Sequence, residues 1–203
     1  PEEEVLNSDI LVDFCPINQN FEHQIYDEAS SNNAEYKAAL LSWREEFPGD
    51  IGLYSYYRKY AWRSMPNVIP HYIQRDMQWY ASLPLQGIST YAEPGDWFTY
   101  ELNHYILGQV AWDPDIDVDS LAVEFYKIRY GNVWRKAKNA YTCLENISPV
   151  YGSVPFTSLK PAGKIEQVQK KIDKQISVLQ ETKRTVADSE LSENLSRLLL
   201  MFE

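Results

Sequence analysis

The sequence predicts an α/β fold, the C-terminal part of a TIM (β/α)8 barrel followed by α-helices. Three observations carry this. Short β-branched or aromatic runs alternate three times with amphipathic helical stretches, the pattern of parallel strands joined by helical crossovers. The runs read as buried on both faces, so three strands alone would leave long unpaired edges in need of closure. After Trp112 the strand signals stop and only helical periods continue. The remainder of the barrel is therefore expected from a longer chain or another subunit, and a start at Pro1 rather than Met agrees with this.

Each element has its own signal. Residues 9–15 are β-branched and apolar, end at Pro16, and lead into a long polar loop, as a buried strand should. Asn32 and Glu35 have capping-box spacing, and Tyr36, Leu40, Trp43 and Phe47 then recur at helical intervals until Pro48-Gly49. Residues 51–57 are the second strand. Pro66 is expected to open a helix with Ile69, Ile73, Met77 and Tyr80 on one face. Residues 87–91 are the third strand, 93–96 a turn, and Phe98, Leu102, Tyr105 and Ile106 the face of a third helix.

The later chain is helical throughout. Asp117 is the expected N-cap of a fourth helix with Leu121, Phe125 and Ile128 inward and Tyr130-Gly131 at its end. A fifth helix follows over about residues 133–144. Pro, Gly and Ser then mark a surface connector, 148–163, between a first unit, 1–147, and a helical hairpin, 164–203. One apolar stripe of the hairpin runs from Ile165 through Ile172 to Leu179, the other from Leu191 through Leu198 to Phe202, with a cap at Asp188-Ser189 between them. Its lysines are mixed with acids and read as a solvated face.

Composition narrows the function classes. In 203 residues, 19 basic against 29 acidic side chains leave a net charge of -10, which argues against a phosphate-binding surface and hence against nucleic acid. No apolar run approaches the roughly 18–20 residues that span a bilayer, so no membrane partner is expected. His23, His71 and His104 are isolated and Cys15 lies far from Cys143, so neither a metal nor another cofactor is expected. Both cysteines read as buried thiols.

In a barrel, chemistry sits where strands end and loops toward the next helix begin. Three such loops concentrate aromatic rings, carboxylates and amides: residues 15–28, 54–62 and 91–97. Sugars present apolar C–H faces and rings of hydroxyls, so flat aromatics beside carboxylates and amides suit a carbohydrate substrate. Glu93 is the candidate catalytic carboxylate, as general acid, base or nucleophile, with a plain turn carboxylate as its alternative. His23, Tyr57, Trp62, Asp96 and Trp97 are the candidate substrate-binding residues. Tyr57 and Trp62 are expected to be exposed members of an aromatic cluster that otherwise packs the barrel rim. Asp13, if inward, would be a buried carboxylate needing a partner.

The run from Tyr105 to Pro114, with Trp112-Asp113-Pro114, then Asp117-Val118-Asp119, Phe125 and Tyr130-Gly131, resembles a bacterial family catalogued as domain of unknown function 4838. Phe14-Cys15-Pro16-Ile17, His23, Asn33, Trp43, Tyr57, Pro66-Asn67 and Gly87-Ile88 are similar in order, so the likeness covers about residues 9–141. Trp-Asp-Pro after an apolar helix also resembles the end of the barrel in family 67 α-glucuronidases. The resemblance implies a glycoside-hydrolase-like barrel from a polysaccharide-degrading bacterium. Two departures bear on catalysis: Tyr54-Ser55-Tyr56-Tyr57 stands where the family usually has Trp-Asp-Tyr, and Glu93 is displaced from the family's Glu-Gln-Gly.

The expected function is therefore hydrolysis of a glycosidic bond in a poly- or oligosaccharide by paired carboxyl groups, with the catalytic acid upstream of Pro1. A carbohydrate-binding protein on a barrel scaffold that does not cut is the alternative. A secreted or periplasmic setting is suspected, and a helical interaction module built on residues 165–202 is a third reading.

Overall fold

The structure is a computed structural model and describes residues 8–58, 65–151 and 162–203. Three strands, β1 (Leu11–Phe14), β2 (Asp50–Ser55) and β3 (Ile88–Thr90), form one parallel sheet in the order β1-β2-β3. Leu53 sits opposite both Phe14 and Ile88, which fixes the register across all three. The connections are helical: α1 (Ser31–Glu46) between β1 and β2, α2 (Pro70–Ala81) between β2 and β3, and α3 (Trp97–Val110) after β3. Four further helices follow, α4 (Val118–Tyr130), α5 (Trp134–Tyr151), α6 (Ala162–Thr185) and α7 (Ser189–Leu200). This is a mixed α/β fold, mostly helical, around an open three-stranded sheet among the described residues.

One face of the sheet is covered and the other is open. Ile51 and Leu53 are 0% and 2% exposed and pack with Leu40, Ile73 and Ile106 in the core, whereas Leu11, one residue out of phase with Val12 and Phe14, is 59% exposed. Burial of each such aliphatic side chain contributes roughly 1.5–3 kcal/mol, so the sheet is held from its helical side. The expected buried first strand is thus an edge strand with an exposed face. Cys15, expected to be a buried thiol, is exposed at its end, while Cys143 is half-buried.

Several local expectations shift by two to four residues. Ser30, not Asn32, caps α1, its hydroxyl accepting from Asn33 N. Asn33 is instead buried and binds the preceding loop, donating to the carbonyls of Asn20, His23 and Gln24. The second helix begins at Pro70 rather than Pro66, because a proline is harmless in a first turn and disruptive one turn later. Ile69 N at its start donates to Asn103 Oδ1 of α3. The cap at Asp117 and the Gly131 stop of α4, with φ 45°, agree with expectation, but Ile128 points out and is 72% exposed. α5 runs to Tyr151, into the expected connector, whose residues 152–161 lie outside the described ones.

The last two helices pack on the preceding pair, α6 along α5 and α7 against α4. Leu179, Leu195 and Leu198 are fully buried there and join the same core as Ile106 and Tyr141. Asn194 of α7 donates to the carbonyl of Arg129 on α4 at 2.9 Å. The Trp112-Asp113-Pro114 turn between α3 and α4 is tied to α2 by Gln74, which donates to the carbonyls of Pro114 and Ile116, while Trp112 itself is 91% exposed.

Candidate functional site

The strands point their C-terminal ends at residues 15–30, at 91–96 and at the described parts of the β2–α2 connection, 56–58 and 65–69. A Cβ added at Gly52 would collide with the Asp13 carboxylate, so Asp13 lies across β2 on the open sheet face. It is exposed, and the buried carboxylate considered for position 13 is not what the strand presents. Beyond Gly52, alternation brings up Tyr54 and Tyr56, whose rings meet edge to face at 5.1 Å. Tyr56 and Tyr91 follow at 6.2 Å, making a half-buried aromatic shelf across the ends of β2 and β3.

Glu93 is attached to this shelf. The Tyr91 hydroxyl donates to Glu93 Oε1 in a short contact, and that bond, with some desolvation, raises the Tyr91 pKa and keeps it a donor. Behind Tyr91 lies Arg58, with Cζ 5.2 Å from the Tyr91 ring and 5.9 Å from that of Tyr100. Arg58 and Asp96 form a buried ion pair, both guanidinium Nε and Nη2 bonding the same carboxylate oxygen, Oδ2. Burial works against the Arg58 charge, and the bond to Asp96 with its negative charge outweighs it and raises the Arg58 pKa. Asp96 is thereby pinned by one oxygen at the start of α3, and its other oxygen has no hydrogen-bond partner among the described residues.

The predicted residues separate into groups. Glu93 and Asp96 lie together on the β3–α3 turn, and Trp97, 50% exposed, stacks on His104 at 4.6 Å and 15° beside them. Burial lowers the His104 pKa, so this is contact between neutral rings. His23 stands on the β1–α1 loop, its Nδ1 2.9 Å from Asp27 Oδ2, with about a third of its side chain exposed. Its carbonyl accepts from Tyr72 and Asn33, which fixes the loop beneath it. Tyr57, expected at the surface, is 2% exposed and edge-on to Phe21, because the pleat turns it to the helical side of the sheet. Trp62 lies outside the described residues.

Sequence reasoning missed a second constellation. Asp76 of α2 is fully buried and accepts from Gln19 Nε2 at 2.7 Å, Ile25 N at 3.2 Å and the Tyr57 hydroxyl at 3.3 Å. Turning the Gln24 amide adds a fourth donor at 2.8 Å. Burial dominates and pushes the Asp76 pKa up to about 7 against these bonds. The signal was available: position 76 falls on the same face as Ile73, Met77 and Tyr80. No such signal joins Arg58 to Asp96, which only folding brings together.

Among the described residues no group of three His, Cys, Asp or Glu side chains could hold a metal ion, and no helix is long and apolar enough to cross a membrane. A cavity of about 670 Å3 lies between the α4–α5 and α6–α7 turns, away from the strand ends, and its lining holds no aromatic side chain. A cavity of about 480 Å3 adjoins Asp96 and Trp97. A protein-family model described as domain of unknown function (DUF4838) matches residues 1–139. No curated protein and no solved structure matches the chain.

Proposed function

We propose that this chain, which belongs to the DUF4838 family, contributes the last β/α units of a glycoside-hydrolase-like (β/α)8 barrel and part of its carbohydrate site. The observation that carries the reading is the Tyr91–Glu93 pair on an aromatic shelf at the C-terminal ends of three parallel strands, on the sheet face that helices leave open. The barrel part is supported by Leu11 at 59% and Ile10 at 45% exposure beside the β1 edge, an apolar strand border that further strands would cover. Those strands come from a longer chain or another subunit.

In this reading a pyranose lies across Tyr54, Tyr56 and Tyr91, its C–H face on the rings. Glu93, oriented by the Tyr91 hydroxyl, serves as the ionised partner of a carboxyl pair, and the proton donor to the leaving oxygen comes from the remainder of the barrel. Asp96 is committed to Arg58 and acts by position rather than by proton transfer. Glu93→Gln in the complete protein is expected to lower release of reducing ends from oligosaccharides by 10²-fold or more while leaving sugar binding intact. Undiminished hydrolysis would remove Glu93 from the mechanism.

A second reading, sugar binding without cleavage, is favoured by Ser55, which bonds the Ser89 carbonyl where the resembling family carries a carboxylate. A non-catalytic protein would retain an oligosaccharide of unchanged length through prolonged incubation.

A further inference from the structure

The β1–α1 loop is gripped from two sides. Asn33 of α1 donates to three of its carbonyls, and Asp76 of α2 accepts from its Gln19 Nε2 and Ile25 N. The first anchor is an amide that never titrates, the second a fully buried carboxyl. Asp76 also accepts from the hydroxyl of Tyr57, the residue that follows Tyr56 of the shelf. Phe21 of the loop sets its ring 6.2 Å from that of Tyr57 and 5.2 Å from that of Tyr72. Loop, α2 and the backing of the shelf therefore meet at one titratable group.

Both charge states of that group can be bonded through Gln24. With its amide N–H toward Asp76 Oδ1 at 2.8 Å, Gln24 serves the ionised carboxylate and turns its carbonyl to Arg75 Nε and Nη2 at 3.1 and 3.2 Å. Half a turn of the amide puts the carbonyl at Oδ1 instead, where it accepts the proton of the neutral carboxyl. The other titratable or charged groups facing Asp76 are Tyr57, Tyr72 and Tyr80, held neutral because burial raises them well above the ordinary tyrosine value, and Arg75, which bonds Gln24 rather than Asp76. His71 of the same helix bonds Glu145 of α5. Lifting the loop admits water to the carboxyl and makes it an ordinary one, so the closed loop binds the proton more tightly than the open loop. Closure is therefore strongest at low pH and weakens as pH rises.

We propose that Asp76 is a proton-operated latch on the β1–α1 loop: the protonated carboxyl holds residues 19–25 on α2, and its ionisation loosens them and so regulates the strand-end site. The regulatory half rests on the carbohydrate reading of that site, and the latch itself does not.

Amide hydrogen exchange of the whole chain, corrected for the pH dependence of the unprotected rate, measures the latch without any sugar. Protection of the Ile25 amide is expected to fall roughly tenfold or more from pH 5.5 to pH 8, with the Tyr141 amide of α5 changing less. The 13C signal of the Asp76 carboxyl should titrate over the same range as that loss. Asp76→Asn keeps the shape and is expected to abolish the dependence, whereas His23→Gln, which removes the loop histidine, is expected to keep it. Constant Ile25 protection in the wild type, or protection that falls in step with Tyr141, overturns the latch whether or not the variants fold. Titration with cellohexaose, xylohexaose and mannohexaose tests the regulation: a sugar that binds should do so about threefold or more weaker at pH 8 than at pH 5.5, and Asp76→Asn should remove that difference. Equal wild-type affinity at both pH values refutes the regulation. If none of the three binds, the carbohydrate reading and the regulatory half fall together, and the exchange data still decide the latch.

Discussion

Two carboxylates, Asp76 and Asp96, are each about nine-tenths or more buried, and the protein treats them in opposite ways. Asp76 is surrounded by neutral donors from the β1–α1 loop and from Tyr57, so every oxygen is used. Asp96 has a full ionic partner in Arg58, and among the described residues one oxygen of Asp96 and Nη1 of Arg58 have no hydrogen-bond partner. The first is a closed network that fastens a loop to a helix. The second is an open one beside a cavity and an aromatic shelf. Complete satisfaction marks a group that holds structure, whereas a buried pair left incomplete carries an uncompensated cost of burial.

The largest effect should come from breaking the ionic half. Arg58→Ala strands a buried carboxylate and is expected to cost about 3–5 kcal/mol in urea unfolding, whereas Arg58→Met with Asp96→Leu is expected to fall within about 1 kcal/mol of wild type. A large loss in the double variant would make the pair a stabilising device and blur the contrast. Asp76→Ala leaves at least three donors unmatched and should cost roughly 2–4 kcal/mol, with protease cleavage in residues 15–30 rising as the loop detaches.

Acidity sharpens the same contrast. The folded Asp76 carboxyl binds its proton up to about 7, and the unfolded one only to about 4. The native state therefore holds more protons between those values, so stability is greatest below the window and declines as pH rises through it. Melting temperatures at pH 5 and pH 8.5 should differ, with the higher at pH 5. His71, raised by its hydrogen bond to Glu145 and the nearby Glu145 and Asp119 charges, acts in the same direction. Asp76→Asn isolates the first effect by removing most of the difference. The smallest change in stability is expected at the shelf itself: Tyr91→Phe should stay within about 0.5 kcal/mol and yet weaken sugar turnover or binding by releasing Glu93.

Periodicity and punctuation determined much of the scaffold. Three strand–helix alternations, the Asp117 and Asp188 caps, the Gly131 stop and the core faces of α2 and α3 were legible because they depend on neighbours within a turn or two of chain. Glu93, Asp96 and Trp97 could be placed on one turn after β3 for the same reason. Tertiary structure decided what depends on distant partners. It exposed one face of β1, turned Tyr57 inward to Asp76, paired Arg58 with Asp96 across 38 positions, and brought α7 against the β3–α3 turn. Local order follows from the stereochemistry of successive residues, but which buried charge meets which partner is settled only when the helices and the sheet close around them.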